Sequence, residues 1–287
     1  MGKTDAAINL ATHFNSEIIS ADSRQFYREM SIGTAKPDDS QLTKIKHHFI
    51  GQLSISDYFN VSIFENEVLQ LLKSLFKNNN IVFLVGGSGL YIDAVCNGID
   101  DFPDPPPELR NYLKDILSEN GIGKLQEMLQ QLDPEYYNAV DINNPKRLLR
   151  AIEVCKTTGR KFSEQRLNSQ KKRDFNIVKI GLNLPRPELF SRIGLRVDQM
   201  IESGLIKEVE SLMSYRQLNA LNTVGYKEIF EFLDAKITLE QAVENIKTNT
   251  RRYAKRQLTW FKRTDEYKWF EPSDINEITN YLTMTCK

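Results

Sequence analysis

The sequence predicts an α/β fold in which a parallel sheet, flanked by helices, carries an all-helical insertion. Three features of the pattern lead there. Over the first 100 residues short apolar runs alternate with segments of helically spaced apolar residues, as when crossover helices join parallel strands. A break at Asp104-Pro105-Pro106-Pro107 then opens a stretch, Glu108 to Arg166, that reads as helix upon helix. A strand pattern returns at Ile177–Leu184. The core accordingly covers 1–104 and 174–287, and the insertion 105–173.

Each element has a local reason. Thr4–Phe14 sets Ala7, Ile8, Leu10, Ala11 and Phe14 at helical spacing, and Glu17–Ala21 is a short strand running into Asp22-Ser23. Val61–Phe76 is helical through Phe64, Val68, Leu69, Leu72 and Phe76, and Ile81–Val85 is a strand that stops at Gly86-Gly87. Asp133-Pro134 and Asn144-Pro145 have the form of helix starts, a capping side chain followed by Pro at the first helical position. Pro185-Arg186-Pro187 turns the returning strand into a further helix.

Length and composition narrow the function. A chain of 287 residues suits one large domain, or one carrying a smaller second domain. At 40% hydrophobic and 26% charged residues it is not a disordered chain. No apolar run approaches the roughly 20 residues of a membrane helix. Cys96, Cys155 and Cys286 lie far apart, without zinc or disulfide spacing. With a start that lacks a signal peptide's apolar stretch, this leads to the expectation of a reducing cytoplasm.

Net charge is zero, 38 basic against 38 acidic residues, but the charges are unevenly spread. Lys146 to Arg173 holds ten Lys/Arg against two Glu, and Arg251 to Arg263 six Lys/Arg and no acid. Two basic zones on a neutral chain suit a protein that binds a polyanion on one face, or solvated helix faces with nearby counter-charges.

Four stretches could carry chemistry. Gly2-Lys3-Thr4 opens the first predicted helix. In a P-loop, backbone N–H groups and the helix N-terminus cradle phosphate, the Lys pairs with it and the Thr hydroxyl helps hold Mg²⁺; the triplet alone also fits an ordinary helix start. Asp22 follows a strand at the sheet edge where open α/β folds bind ligands, and could be a general base, a metal-shell ligand or a turn cap. Val85 to Tyr91 (Val-Gly-Gly-Ser-Gly-Leu-Tyr) is a strand, glycine turn and helix start, open to close approach of a ligand or simply a turn. Arg251 to Arg263 interleaves cations with Tyr253, Trp260 and Phe261, suited to phosphates and stacked bases; Leu258, Trp260 and Phe261 also suit a core. His13, His47 and His48 show no metal-ligand spacing.

In their order these stretches resemble the bacterial tRNA dimethylallyltransferases (tRNA isopentenyltransferases). The resemblance rests on Gly2-Lys3-Thr4, Ser20 to Tyr27, Ile32-Gly33-Thr34-Ala35-Lys36-Pro37, His47-His48 and Val85 to Tyr91. It continues through Asn144 to Ala151, Val224-Gly225-Tyr226-Lys227-Glu228 and Arg251 to Arg263, nearly the whole chain. It implies a P-loop-type core with the helical insertion, and transfer of a dimethylallyl group from dimethylallyl diphosphate to a tRNA. The acceptor it implies is N6 of the adenosine 3′-adjacent to the anticodon, in tRNAs reading codons that start with U.

The resemblance also implies roles. Asp22 is the catalytic base, with Ser23, Arg24 and Gln25 against the target nucleotide. Gly2, Lys3 and Thr4 hold the diphosphate; Lys3 and Thr4 count as catalytic, and Thr4 is the Mg²⁺ ligand. Ser88 lies beside the reacting groups and Arg110 near the flipped base. Further tRNA contacts are Lys146, Arg147, Leu148, Leu149 and Arg150; Asn222, Thr223, Val224, Gly225, Tyr226 and Lys227; and Lys255, Arg256, Gln257, Trp260 and Lys262. Arg192 and Arg196 are diphosphate candidates that no motif places. Mg²⁺ is the implied cofactor, the tRNA anticodon stem-loop and dimethylallyl diphosphate the implied partners. The expected form is a cytoplasmic monomer without membrane contact.

Two departures from the family pattern stand out. The second glycine turn reads Gly-Gly-Ser where Gly-Gly-Thr is usual, which keeps the hydroxyl. Met1 falls at an internal P-loop position, so the first strand and the first half of that loop are absent from this sequence, and impaired catalysis is expected. Rival readings are a prenyltransferase acting on free adenylate, a small-molecule P-loop kinase and a tRNA binder without catalysis.

Overall fold

In the computed structural model, which describes residues 2–167 and 170–286, the chain opens with helix α1 (Lys3–His13), strand β1 (Ile18–Ser20), α2 (Asp39–Lys44) and β2 (His47–His48). Then come α3 (Val61–Leu75), β3 (Phe83–Val85) and α4 (Gly89–Asn97). Four helices follow: α5 (Pro107–Leu132), α6 (Pro134–Ala139), α7 (Pro145–Thr158) and α8 (Phe162–Gln165). The chain returns through β4 (Lys179–Leu182), α9 (Arg186–Glu202), α10 (Leu205–Ser211), α11 (Tyr226–Leu233) and α12 (Leu239–Phe261). Strand β5 (Tyr267–Phe270) and α13 (Ile275–Thr285) close it.

These elements form two compact units, Met1–Cys96 with Arg173–Lys287, and Asn97–Lys172. The second unit begins ahead of the Pro-rich break because Lys171 N–H donates to the Asn97 carbonyl at 2.8 Å and joins its two ends.

In the first unit, β1 lies between β2 and β3 in a parallel sheet, with Ile18 opposite both His47 and Phe83. A separate parallel pair joins β4 to β5, Lys179 opposite Tyr267. The parallel arrangement expected from the sequence is therefore present, but in two pieces. Strands buried on both faces read as unbroken apolar runs, and β1 is buried throughout. Helix α3 starts where Asn60 accepts the Ile63 N–H at 2.9 Å, and buries Phe64, Val68, Leu72 and Leu75. Phe26, Phe49, Phe59, Phe64 and Tyr91 pack around it in edge-on and stacked pairs. A second core forms where Val197, Leu205, Val209, Tyr226, Ile229 and Ile246 bring α9 to α12 together.

The second unit is helical, as its sequence predicts. Asp133 and Asn144 cap α6 and α7, accepting from Tyr136 N and Arg147 N, and Pro follows each. Asp133 is wholly buried and also accepts from Ser163 N at 2.7 Å and Ser163 Oγ at 2.8 Å. Leu113, Leu125, Leu129, Leu148 and Ile152 form its core. Gly121, at φ 73°, breaks the long α5, a conformation that costs glycine little.

Candidate functional site

Parallel pairing makes β1 and β3 finish side by side, so the loops after them meet. Ala21 N–H donates to the Val85 carbonyl at 2.7 Å, and Ser88 N–H to the Ala21 carbonyl at 3.2 Å. Ser23 N–H donates to Ser88 Oγ at 3.0 Å, and the two hydroxyls lie 3.2 Å apart. Asp22 Oδ1 accepts the Arg24 N–H at 3.0 Å, a turn that fixes the carboxylate at the strand's end.

Three charges converge on this edge. Lys3, in the first turn of α1, has its pKa pulled below the ordinary lysine value by burial and by Arg196, with Asp22 acting the other way. Arg196, from α9, is shifted down by burial and up by Asp22. Tyr253, from α12, is raised by burial and by Asp22, and its hydroxyl interacts with Gln257 and Ser88. Gly2 caps α1 at φ 84°. Two half-buried cations beside one carboxylate suit a reaction that releases an anion and frees a proton.

The glycines and family signatures around the site serve the chain itself. A Cβ on Gly86 would stand 2.2 Å from the Ala21 carbonyl oxygen, one on Gly87 2.1 Å from Gln257 Nε2, and one on Gly89 2.3 Å from the Trp260 ring. The close approach expected of a ligand is made by protein. Gln257 Nε2 donates to the Gly87 carbonyl at 2.7 Å, and Trp260 Nε1 to Asp93 Oδ2 at 2.9 Å. Gln25 is also engaged: its amide donates to the Thr34 and Ala35 carbonyls, each at 3.1 Å, and accepts from Ser20 Oγ. Glu208 holds the Ile32–Pro37 signature in place, accepting from Ser31, Ile32 and Gly33 N–H at 2.9, 2.7 and 3.0 Å and from Tyr226 Oη at 2.6 Å. Glu228 accepts from Gly225 N–H and Asn249 Nδ2. Glu208→Ala should therefore destabilise the fold by about 3 kcal/mol in urea titration, and Glu208→Gln by less, because several donors lose a charged acceptor.

Burial corrects part of the expected RNA-contacting set. Leu148 and Tyr226 are fully buried in their cores and Gly225 is buried, so the first two side chains pack rather than meet a ligand. Leu149 and Val224 are half-buried and pack against the same cores. Lys146, Arg147, Asn222 and Lys227 are exposed, and Thr223 is half-buried. Within the second unit, Arg110 and Arg150 flank Glu153 at 3.4 and 3.8 Å. On α12 the block divides by face: Lys255 and Arg256 point outward, while Ala254, Gln257 and Trp260 turn in. Lys262 is exposed just past the helix, its ammonium over the Trp269 ring. Helical periodicity produces this split. Tyr253 and Glu208 do not stand out in the sequence as site residues; the aromatic among the cations is a signal for the first, and an isolated helix Glu offers none for the second.

A family model described as IPP transferase matches residues 25–264. The chain belongs to the IPP transferase family. It is 46% identical to tRNA dimethylallyltransferase 1 of Bacteroides fragilis, over 100% of this chain and 95% of that protein. It is 51% identical to the tRNA dimethylallyltransferase of Christiangramia forsetii, over 94% and 90%. Among IPP transferases of known structure it resembles the tRNA isopentenylpyrophosphate transferase of Bacillus halodurans at 36% identity and a TM-score of 0.72, over 99% of this chain and 93% of that one. It also resembles a eukaryotic dimethylallyltransferase acting on tRNA at 27% identity and a TM-score of 0.80, over 99% and 74%.

Proposed function

We propose that this IPP transferase moves a dimethylallyl group from dimethylallyl diphosphate to N6 of the adenosine 3′-adjacent to the anticodon, in tRNAs reading codons that start with U. The observation that carries the reading is the grouping of Asp22 with Lys3 and Arg196 at the carboxyl ends of parallel strands. Relatives named tRNA dimethylallyltransferase, similar along nearly the whole chain, support transfer of a dimethylallyl group to tRNA.

The residues divide the reaction between them. As the N6–C1 bond forms, the C1–O bond to diphosphate breaks; Asp22 takes the displaced N6 proton, and the diphosphate leaves against Lys3 and Arg196. An exocyclic amine is a weak nucleophile, so proton removal as the bond forms lowers the barrier. The adenosine must leave its stack, at a cost of about a few kcal/mol. The exposed cations Lys146, Arg147, Lys255, Arg256 and Lys262 offset that cost by binding tRNA phosphates.

Mg²⁺ fits the donor set. It keeps several waters and binds through few protein oxygens plus substrate phosphates; Thr4, next to Lys3 in the first turn of α1, would supply it a hydroxyl. When bound, it neutralises diphosphate charge. Chelation should abolish transfer and Mg²⁺ should restore it, as label counts in tRNA would show.

A substrate panel separates the rivals. Unmodified tRNA, AMP and ATP offered with labelled dimethylallyl diphosphate should yield label in tRNA alone. Label in AMP would replace the tRNA reading, and prenyl-independent ATP turnover would favour a kinase. Replacing both Lys255 and Arg256 by Ala should weaken tRNA binding several-fold and flatten its salt dependence by a slope of about one to two.

A further inference from the structure

Glu208 belongs to α10 and not to the loops after β1 and β3, yet four donors engage it. Its Oε2 accepts the Ser31 and Ile32 N–H at 2.9 and 2.7 Å, and its Oε1 accepts the Gly33 N–H at 3.0 Å and the Tyr226 hydroxyl at 2.6 Å. Successive backbone N–H groups that converge on one point make a cradle for an anion, and the chain fills this one with its own carboxylate. A Cβ on Gly33 would stand 2.5 Å from the Tyr226 ring, so the turn lies directly on that buried tyrosine.

The carbonyl side of the same turn reaches the site. Thr34 and Ala35 each accept from Gln25 Nε2 at 3.1 Å, and Gln25 Oε1 accepts from Ser20 Oγ at 3.2 Å. Gln25 N–H in turn donates to the Asp22 carbonyl at 3.2 Å, and the Asp22 carboxylate holds the Arg24 N–H. Ala35 has φ 47°, a left-handed conformation that a residue with a side chain keeps only where its surroundings impose it. Those surroundings are polar: Thr34 Oγ1 donates to the Met30 carbonyl at 2.7 Å, and the Lys36 ammonium to the Tyr27 and Arg28 carbonyls. Glu208 therefore grips the N–H side of a constrained turn whose carbonyl side is bound to Gln25.

We propose that Glu208 is a positioning residue for the transfer reaction: through the turn at 31–35 and Gln25 it sets the place of the Asp22 carboxylate. It touches no substrate. The inference rests on the transferase reading of Asp22. Its leverage comes from geometry, since a misplacement of about 1 Å at the reacting groups costs up to about 10²-fold in rate.

Glu208→Gln tests it. Whichever way the amide turns, its NH2 faces two of the four donors, so the cradle opens while the size is kept. The variant should lower kcat for label transfer by about 10- to 100-fold and leave KM for dimethylallyl diphosphate within about twofold. Combined with Gln25→Ala, it should add nothing to the loss in Gln25→Ala alone, because both act along one path. Ile229→Val, which trims the core around Tyr226 without touching the turn, should keep kcat within about twofold. Hydrogen exchange supplies a readout without substrates. Glu208→Gln should speed exchange at the Arg24 and Gln25 amides by at least about tenfold and leave Ile18, bonded to Lys46 beside β2, unchanged.

Multiplied losses in the double variant, a loss matched by Ile229→Val, or unchanged exchange at Arg24 and Gln25 would each overturn the proposal. A parent that transfers no label would count against the transferase reading instead, and exchange alone would then decide the coupling. Should Glu208→Gln fail to fold, Glu208→Asp, which keeps the charge but is one methylene shorter, carries the same readouts. Failure of both to fold would assign the carboxylate to the fold alone and overturn the inference.

Discussion

Asp22→Ala should lower dimethylallyl transfer by about 10²- to 10⁴-fold, the usual contribution of a positioned general base, while tRNA binding in a gel shift stays within a few-fold of the parent. The two readouts part because of what Asp22 touches. Its carboxylate is held by the Arg24 N–H and acts on Lys3, Arg196 and Tyr253, all at the sheet edge. The exposed cations Lys255 and Arg256 lie elsewhere on α12 and do not depend on it. Asp22→Asn keeps the size and the turn acceptor but cannot take the N6 proton, so it should match the Ala variant in rate. A full rate in the Asn variant would remove Asp22 from the chemistry.

The second large effect belongs to Lys3. Lys3→Met should cost about 10²- to 10³-fold in kcat, the scale for losing one preorganised group that stabilises developing charge. A pH signature distinguishes this from a packing loss. Burial and Arg196 hold the Lys3 pKa below the ordinary lysine value, and only the protonated form attracts diphosphate. Affinity for inorganic diphosphate should thus fall as pH rises through that lowered pKa, below the range of an exposed lysine. In Lys3→Met the fall should vanish, leaving a weak, flat profile in calorimetry. A fall of the same shape in the variant would assign the titration to another group.

Much of the fold is legible in the sequence because its signals are local. The apolar spacing of α1 and α3 and the Asp-Pro and Asn-Pro starts of α6 and α7 each depend on residues within a turn or two. The pairing of β4 with β5 is not legible from local signals, since the two strands lie far apart in the chain and neither encodes its partner. At the site, Asp22 and Ser88 are readable from their places after apolar strands. Arg196 is a candidate that no motif places, because only the packing of α9 brings it to Asp22. Motif reading errs where a signature turns out to be structural. Tyr226 is buried with its hydroxyl on Glu208, and Gly87 and Gly89 make room for Gln257 and Trp260. A short recurring pattern marks a constrained position, and the constraint here is often the chain's own packing.

The most direct test of the transferase reading is a label count. The chain is incubated with labelled dimethylallyl diphosphate, Mg²⁺ and unmodified tRNA carrying A-A-A after the third anticodon base, and the tRNA is digested to nucleosides. Label should appear in N6-(dimethylallyl)adenosine from the nucleotide 3′-adjacent to the anticodon, and be lost in Asp22→Ala. Absence of label while tRNA is bound, or label at another nucleotide, would contradict the transferase reading.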